Sequence, residues 1–460
     1  MTLHDQIELY RSKRCSPVEV MRQTLERIDR VEPMLNAFQL VDADTAMEIA
    51  QASEQRWLRG EPVGVLDGLP VAIKDLTLTK GWPTRGGSLT TNVDREWNDD
   101  APSVARLREA GAIIFGKTTT PEFGWKGLTD SPLAGFTRNP WDPKRSSGGS
   151  SGGAAASLAA GIGAFAHASD GGGSIRIPAS YCGLFGFKPS FGRVPAYPRV
   201  GAFATLSSEG AITRCVDDSA LLLNVMSRVD SRDWYALPSD DVDYMAGLDS
   251  GVAGLRVGVC VGLGGANAAA DIVTAVESAA QVFEQQGAQV ETVESPFTPL
   301  RPVFERYWLA TMASRVLQVP EHKRDLLDPD LVRVAEPGKD VTLAEYGAAM
   351  SARAELGATM NAFHRDFDLL LTPTMPTDPP PAETTYHTAQ FDRWDHAVPY
   401  TVPFNFTGQP AASIPCGLSQ AGLPIGLQII GPARADQLVL RACKAFEHAH
   451  PIPVPPDMTS

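Results

Sequence analysis

The sequence GGSSGG at residues 148–153 is followed, after a helix-length run of small residues, by GGGSIR at residues 171–176. Each of these glycine-rich turns presents a serine, Ser150 in the first and Ser174 in the second. Upstream, an apolar stretch that is typical of a buried strand ends on Lys74. One lysine and two serines on tight backbone are the groups that a serine hydrolase without a histidine base requires.

The residue types fit that chemistry, since a serine hydroxyl is a weak nucleophile until a base takes its proton. Lysine can be this base only if its pKa, about 10.4 in water, falls toward neutrality, and burial away from water lowers it. Because Lys74 follows an apolar strand, its ammonium is expected to emerge from an apolar layer, and a second serine can relay the proton. The glycines before Ser174 leave backbone N–H groups uncovered, and such donors hold the negative oxygen of a tetrahedral intermediate. Asp170 and Arg176 are expected to form an ion pair that supports this loop.

These motifs resemble the amidase signature family. In that family a strand ending in lysine, a GGSSGG turn and a D-x-GGS-I-R-x-P-A block follow one another, and the last block reads DGGGSIRIPA at residues 170–179 here. The likeness continues at residues 182–189, 404–411 and 422–428, so it extends over nearly the whole chain. It implies an α/β fold: a single large α/β/α domain whose mixed central β-sheet is covered by helices.

The resemblance also implies the catalytic roles. Ser174 is the expected nucleophile, Lys74 the base, and Ser150 the bridge between them, preceded by a cis peptide bond from Gly149. Gly171 stands where the family often has threonine or isoleucine; this keeps the backbone donor and is expected to loosen the loop. The amides expected to form the oxyanion hole belong to the run that leads into the nucleophile: Gly171, Gly172, Gly173 and Ser174.

The substrate pocket is less well specified by the sequence. By motif position, Gly124 and Trp125 line the pocket for the acyl or leaving group, and ordinary core packing is the alternative for Trp125. The less family-like region 302–337 is a candidate for another wall. An apolar or aromatic pocket suits aryl or fatty amides, with esters and carbamates as alternatives. The expected function is therefore a serine amidohydrolase that acts on a small molecule through an acyl-enzyme on Ser174.

A second branch of the family offers an alternative function. The amidase subunit of glutamine-dependent amidotransferase complexes usually carries an aspartate just before its late T-V-P-x-N segment, where this chain has Val398. A stand-alone hydrolase is therefore favoured, and the alternatives are that amidotransferase component or a non-catalytic chain that binds a partner protein. Intact Lys74, Ser150 and Ser174 argue against a non-catalytic chain.

The first glycine-rich turn also matches G-x-S-x-G, the nucleophile elbow of α/β-hydrolases, which would make Ser150 the nucleophile of an esterase. An elbow follows a hydrophobic strand, whereas residues 140–147 read PWDPKRSS, so this alternative ranks lower. It also needs a late histidine, and the candidates are His387, His396, His448 and His450.

Helical and extended patterns alternate along the chain, which predicts a sheet covered by helices. Ser16-Pro17-Val18-Glu19 is a capping box with proline at the first helical position, so a helix is expected to begin there. Residues 1–60 are expected to be N-terminal helices packed on the core, and residues 61–460 to form the amidase signature α/β/α domain. Further helices are predicted at 45–58, 102–110, 215–226 and 271–286, and strands at 112–115, 256–260, 289–293, 368–371 and 426–430.

Composition excludes several classes of partner. The chain has 460 residues, of which 43% are hydrophobic, enough to bury a large core. Its formal net charge of −14 argues against a nucleic-acid or anionic-membrane surface. The six cysteines are scattered, which suits free thiols, and the histidines form no ligand pair, so no metal and no cofactor are expected.

The terminal and small-residue segments bear on location. The N-terminal segment is charged and lacks the apolar region of a signal peptide. The small-residue run at 152–168 is too short and too rich in glycine to span a membrane. A cytoplasmic location without a membrane partner is the resulting expectation. The oligomeric state is left open, with a homodimer as one alternative.

Overall fold

The structure is a computed structural model, and it describes residues 1–199, 203–239, 241–385 and 398–455. The strands in these ranges are β1 (Phe38–Val41), β2 (Pro70–Lys74), β3 (Ile113–Thr118), β4 (Asp130–Ser131), β5 (Gly135–Phe136), β6 (Phe165–Asp170), β7 (Phe185–Lys188), β8 (Ser208–Thr213), β9 (Arg256–Val259), β10 (Gln289–Thr292), β11 (Leu369–Pro373), β12 (Ala411–Leu418) and β13 (Pro424–Ile430). The α-helices are α1 (Leu3–Arg11), α2 (Pro17–Leu35), α3 (Ala43–Arg59), α4 (Pro102–Glu109), α5 (Gly152–Ala159), α6 (Arg176–Tyr181), α7 (Val216–Met226), α8 (Ala270–Gln285), α9 (Arg301–Leu317), α10 (Pro329–Ala335), α11 (Leu343–Phe363), α12 (Pro403–Phe406) and α13 (Asp436–Ala449). The predicted helices and strands are confirmed, with their ends displaced by a few residues.

Eleven of the strands form one mixed sheet, in the order β1-β3-β2-β6-β8-β7-β12-β13-β11-β9-β10. β2 runs parallel to β3 and β6, and β9 runs parallel to β10 and β11. The remaining neighbours in this sheet are antiparallel, and β4 and β5 form a separate two-stranded sheet. The predicted α/β architecture with a mixed central sheet is confirmed.

Apolar side chains cover both faces of the sheet, as the buried strand β2 shows. Val71 and Ile73 belong to an apolar cluster that includes residues of α1 and α4, whereas Ala72 packs with Met21 and Ala46 of α2 and α3. Successive strand residues point to opposite faces, so helices lie on both sides. Full burial of a valine or isoleucine side chain adds roughly 1.5–3 kcal/mol to the stability of the fold. A strand that is buried on both faces is therefore almost continuously apolar.

The N-terminal helices begin as the sequence predicts. Ser16 accepts a hydrogen bond from the Glu19 backbone N–H, the Glu19 carboxylate accepts from the Ser16 N–H, and Pro17 is the first helical residue of α2. The chain then leaves α2 to form β1, which pairs with β3 at the edge of the main sheet. A domain division at residue 60 stays a prediction.

The topology brings the sequence motifs to one edge of the sheet. β2 ends at Lys74 and β6 ends at Asp170, and parallel neighbours end at the same edge. Antiparallel β8 begins there, with Glu209 opposite Ser169. The two glycine-rich turns also meet, because the Ser151 N–H donates to the Ser174 carbonyl over 3.3 Å. No helix in the ranges that the structure describes is long and apolar enough to cross a membrane.

Candidate active site

Lys74 and Ser150 form the central contact of the site. Lys74 Nζ lies 2.8 Å from Ser150 Oγ and 3.2 Å from the carbonyl oxygen of Ser169. The lysine comes from the end of β2 and the serine from the turn that leads into α5. Both side chains are buried, so the contact is shielded from water. A short contact of this kind is what proton transfer between an amine and a hydroxyl needs.

The environment of Lys74 favours its neutral form. Burial lowers the pKa of Lys74 to about 7, because removal from water penalises the ammonium, while the negative charges of Glu209 and Asp170 act in the opposite direction. A substantial fraction of the amine is therefore unprotonated near neutral pH. This is the protonation state that a general base requires.

Ser150 and Ser174 open onto the same cavity, which has a volume of about 250 Å³. Ser174 lies in the turn between β6 and α6, two residues before the helix begins, and it is largely buried. Gly171 also borders this cavity. The structure thus brings all three predicted catalytic side chains, those of Lys74, Ser150 and Ser174, to one place.

The glycines of the first turn are required by close packing. The peptide bond between Gly149 and Ser150 is cis, as the family resemblance implies. A Cβ on Gly149 would lie 2.5 Å from the backbone of Leu128, and Gly148 has a φ of +77° beside Tyr181. Larger residues at these positions would displace the backbone that presents Ser150.

The predicted oxyanion amides are not equivalent. The Gly173 N–H donates to Asp170 Oδ1 over 2.7 Å, so it is already engaged. Gly171 lacks a side chain for a steric reason, since a Cβ there would lie 2.8 Å from the ring of Phe203. The Phe203 ring thus takes the space that the family's larger residue would fill. The part of each amide in an oxyanion hole stays a prediction.

A buried ionic network supports the loop that carries Ser174. Arg176 Nε lies 2.9 Å from Asp170 Oδ2, which confirms the ion pair expected from the sequence. The guanidinium also donates to Gln428 Oε1 and Asn405 Oδ1, at 2.7 and 2.6 Å. Burial alone would raise the pKa of Asp170, but Arg176 holds it well below the usual range. Asp170 therefore stays charged and anchors the N–H groups of Gly173 and Ile175.

Gly124 and Trp125 border the cavity, as predicted for pocket residues. A Cβ on Gly124 would lie 3.3 Å from Ser150 Oγ, so this glycine packs directly against the catalytic region. Trp125 is fully buried and donates through Nε1 to Asp328 Oδ2 over 3.0 Å, so it combines a place in the core with a place in the cavity wall. The region 302–337 forms another wall, as expected, through Met312, Arg315 and Leu331.

The sequence analysis missed Glu209, an acidic residue near Lys74, and its partner His167. Glu209 borders the cavity, and its Oε2 lies 2.9 Å from Nε2 of buried His167, which also contacts Ser103 Oγ at 3.0 Å. A glutamate inside the mostly buried strand β8, which reads SEGAIT, was the available signal. Its proximity to Lys74 follows only from the antiparallel pairing of β8 with β6.

The histidines proposed for an esterase mechanism do not support it. Ser150 Oγ is bonded to Lys74, and no histidine in the described ranges is its hydrogen-bond partner. His448 is exposed on α13 and faces Asp249, and His450 follows that helix. His387 and His396 lie outside the described residues.

The comparisons with known proteins identify the family of the chain. The amidase family profile matches residues 19–440. An acylamidase of Rhodococcus erythropolis is 34% identical over 452 residues, which cover 96% of this chain and 93% of the relative. One of the subunits of the glutamyl-tRNA(Gln) amidotransferase of Geobacter sp. (strain M21) is 34% identical over 476 residues, with 97% of this chain and 96% of the relative covered.

A solved structure of the same family also matches the chain in fold. A bacterial aryl acylamidase of the amidase signature family matches with a TM-score of 0.90 and 34% identity, covering 98% of this chain and 96% of the other. The chain therefore belongs to the amidase signature family. It is an enzyme that hydrolyses amide C–N bonds, and its substrates are small molecules.

Proposed function

We propose that this chain is a stand-alone serine amidase in which Ser174 is the nucleophile, Ser150 the bridge and Lys74 the base. The observation that carries the proposal is the buried contact of 2.8 Å between Lys74 Nζ and Ser150 Oγ beside the cavity that Ser174 shares. The similar acylamidase and aryl acylamidase make acyl anilides the first substrates to test. Esters and carbamates are proposed as further substrates, since the same acyl transfer applies to them.

The proposed reaction assigns one step to each of these groups. Neutral Lys74 takes a proton through Ser150 while Ser174 Oγ attacks the carbonyl carbon. The backbone N–H groups of Gly171, Gly172 and Ser174 stabilise the negative oxygen that forms, whereas the Gly173 N–H is bound to Asp170. Lys74 and Ser150 return the proton to the leaving nitrogen, the C–N bond breaks, and an ester remains on Ser174. Water then attacks this ester, with the same relay accepting and returning its proton.

The role of an amidotransferase component is less well supported, although relatives of that kind are equally similar in sequence. The position at which that branch usually carries an aspartate holds Val398, a buried apolar side chain. Nothing at this position offers a carboxylate to an amino group of glutamine. The cytoplasmic location and the homodimer stay predictions.

The first experiment is the release of p-nitroaniline from a small acyl anilide by the purified chain alone. We expect turnover by the wild type and its loss, by a factor of about 10³ or more, in Ser174→Ala and Lys74→Ala. Mass spectrometry of a rapidly quenched wild-type reaction is expected to show an acyl group on Ser174. An acyl group on Ser150 would instead support the nucleophile-elbow mechanism.

Ser151→Ala is the matched control. Ser151 lies in the same turn as Ser150, but its hydroxyl donates to the Ser169 carbonyl and it does not border the cavity. We expect this variant to retain activity. Full activity of Ser174→Ala would refute the assignment, and a wild-type chain that is active only with an added partner would favour the amidotransferase role.

A further inference from the structure

Three arginines border the cavity that the two serines share: Arg85, Arg199 and Arg315. The positive charge of Arg199 is paired with a carboxylate, because its Nε lies 2.8 Å from Asp233 Oδ2. Within the described parts of the chain, Arg85 and Arg315 have no carboxylate at ion-pair distance. Amide hydrolysis as proposed above does not use either group, so these two positive charges point to a role in binding.

Arg315 presents a partly desolvated charge to the cavity. It comes from α9, and its guanidinium carbon lies 3.9 Å from the centroid of the Phe123 ring. Its hydrogen bond to the uncharged Gln318 Oε1 is long, at 3.5 Å. Burial lowers the pKa of Arg315, but a guanidinium remains protonated at any pH at which the protein is folded.

Arg85 reaches the same wall from the loop that follows β2. The Phe123 N–H donates to the carbonyl of the adjacent Gly86 over 2.7 Å, and the Arg85 N–H donates to Asp75 Oδ1 over 3.1 Å. These bonds hold the loop against Phe123. Arg85 Nε is buried and has no hydrogen-bond partner among the residues that the structure describes. An unsatisfied donor of this kind gains from an incoming acceptor.

This wall lies next to the reacting groups. Phe123, whose ring lies against the Arg315 guanidinium and whose N–H binds the loop that carries Arg85, has an uncommon left-handed φ of +54° for a non-glycine residue. Gly124 follows it, and a Cβ on that glycine would lie 3.3 Å from Ser150 Oγ. Phe123 is therefore one residue from the glycine that packs against Ser150 Oγ, and it borders the same cavity as the two arginines.

Acidic side chains on neighbouring elements are bound to other groups. Glu122 accepts hydrogen bonds from Ser88 Oγ and from the Asp328 N–H, each over 2.5 Å. Burial raises its pKa to about 7, and the nearby positive charge of Arg315 opposes this rise. Asp75 accepts from backbone N–H groups and faces Lys117 Nζ at 3.6 Å. The Glu209 carboxylate contacts His167 on β6. The cavity wall therefore has an acidic side chain at Glu209 and basic side chains near Phe123.

We propose that the enzyme selects amides that carry a carboxylate away from the scissile bond, and that Arg85 and Arg315 bind this carboxylate. The inference rests on the proposed function, because it concerns the substrate of the same site. Guanidinium groups donate paired hydrogen bonds to carboxylates, and such charged bonds are stronger than neutral ones. The apolar Phe123 face then carries the part of the substrate between the carboxylate and the amide.

The test is equilibrium binding of uncleaved substrates to the Ser174→Ala protein by calorimetry. One matched pair is succinyl-p-nitroanilide and butyryl-p-nitroanilide, which differ by a carboxylate in place of a methyl group on the acyl side. The other is N-acetyl-4-aminobenzoate and N-acetyl-4-toluidine, which differ in the same way on the amine side. We expect the carboxylate to tighten binding about tenfold or more in at least one pair, since one hydrogen bond to a charged group has roughly this effect.

Arginine substitutions in the Ser174→Ala protein test whether Arg85 and Arg315 cause the preference for the acid. Arg315→Met and Arg85→Met are each expected to reduce the preference for the acid, and the double variant to bring the two dissociation constants close together. Arg306→Met is the matched control, because Arg306 lies on the same helix but is exposed, faces Glu345 and does not border the cavity. We expect it to keep the preference.

The proposal is overturned if neither acid binds more tightly than its neutral partner, or if the preference survives in the double variant. The comparison of substrates needs no arginine substitution, so a variant that fails to fold leaves it intact. Hydrolysis by the wild type is measured separately. Tight binding of an acid that is never hydrolysed would contradict the proposed function alone, and hydrolysis without acid preference would contradict this inference alone.

Discussion

Lys74 combines a short contact with complete burial, and the two have separate consequences. The contact with Ser150 provides the path for a proton, whereas burial determines how often the amine is free to accept one. Glu209 and Asp170 oppose the effect of burial, so the pKa of Lys74 reflects a balance between desolvation and neighbouring charge. Of the two carboxylates, Asp170 is engaged by Arg176, while Glu209 borders the cavity and is the better one to test.

The pH dependence of kcat/KM for an anilide is expected to report this balance. Because neutral Lys74 is the base, activity should fall as the pH drops through about 7. In Glu209→Gln the negative charge that favours the ammonium is gone, so the pKa of Lys74 falls and the acidic limb moves to lower pH by roughly one unit. Glu277→Gln, an exposed carboxylate on α8, is the control and should leave the limb in place. This account is contradicted if the acidic limb of the kcat/KM profile of Glu209→Gln stays at the same pH or moves to higher pH.

At the scale of an element, the turn and helix around Ser150 are built from residues with almost no side chain. α5 starts at Gly152 and packs between strands and the segment that follows α2. A Cβ on Gly153 would lie 2.5 Å from the carbonyl oxygen of Ala37, a backbone atom that cannot rotate away. The run of small residues is therefore a packing requirement, and it positions the turn that carries Ser150.

Gly153→Ala is expected to lower the free energy of unfolding by about 1–3 kcal/mol, the usual cost of overpacking a filled interior. Urea denaturation of the purified protein measures it. Gly357→Ala on α11 is the matched control, because a Cβ there meets nothing within 4 Å. That change should raise the free energy of unfolding by roughly 0.5–1 kcal/mol, as alanine is the better helix former. Equal effects of the two substitutions would show that close packing at α5 is unimportant.

At the scale of the whole molecule, Arg176 ties together segments that are far apart in sequence. Besides Asp170 on β6, its guanidinium bonds the Thr401 carbonyl, the Asn405 side chain on α12 and Gln428 on β13. All of these groups are buried. The loop of Ser174 is thus held in place by the C-terminal part of the chain, so assembly of the site depends on the complete sheet.

Arg176→Met is expected to lower the free energy of unfolding by about 3–5 kcal/mol, because it leaves the Asp170 carboxylate buried without its partner. Thermal and chemical denaturation are the measurements. Arg59→Met serves as the control, since Arg59 and its partner Glu61 are largely exposed and such a pair contributes at most about 1 kcal/mol. A loss in Arg176→Met no larger than in Arg59→Met would mean that the network does not hold the molecule together.

Local sequence patterns were sufficient to predict many of the helices and strands and to indicate the family. The capping box at Ser16 predicted the start of α2, and apolar periodicity predicted helices and strands that the structure contains. The two glycine-rich turns and the strand ending at Lys74 were sufficient to indicate the family. Such features depend on residues a few positions apart, so they can be recognised without knowing what the rest of the chain does.

Other features depended on contacts between distant segments. Three features of the site each involve a partner from another loop or strand. They are the lowered pKa of Lys74, the hydrogen bond from the Gly173 N–H to Asp170, and the contact between His167 and Glu209. The same holds for the wall at Phe123, to which Arg85 and Arg315 come from opposite ends of a long stretch of sequence. Burial and electrostatic interaction are sums over everything nearby in space. Only the folded sheet, with its crossover connections, determines which groups those are.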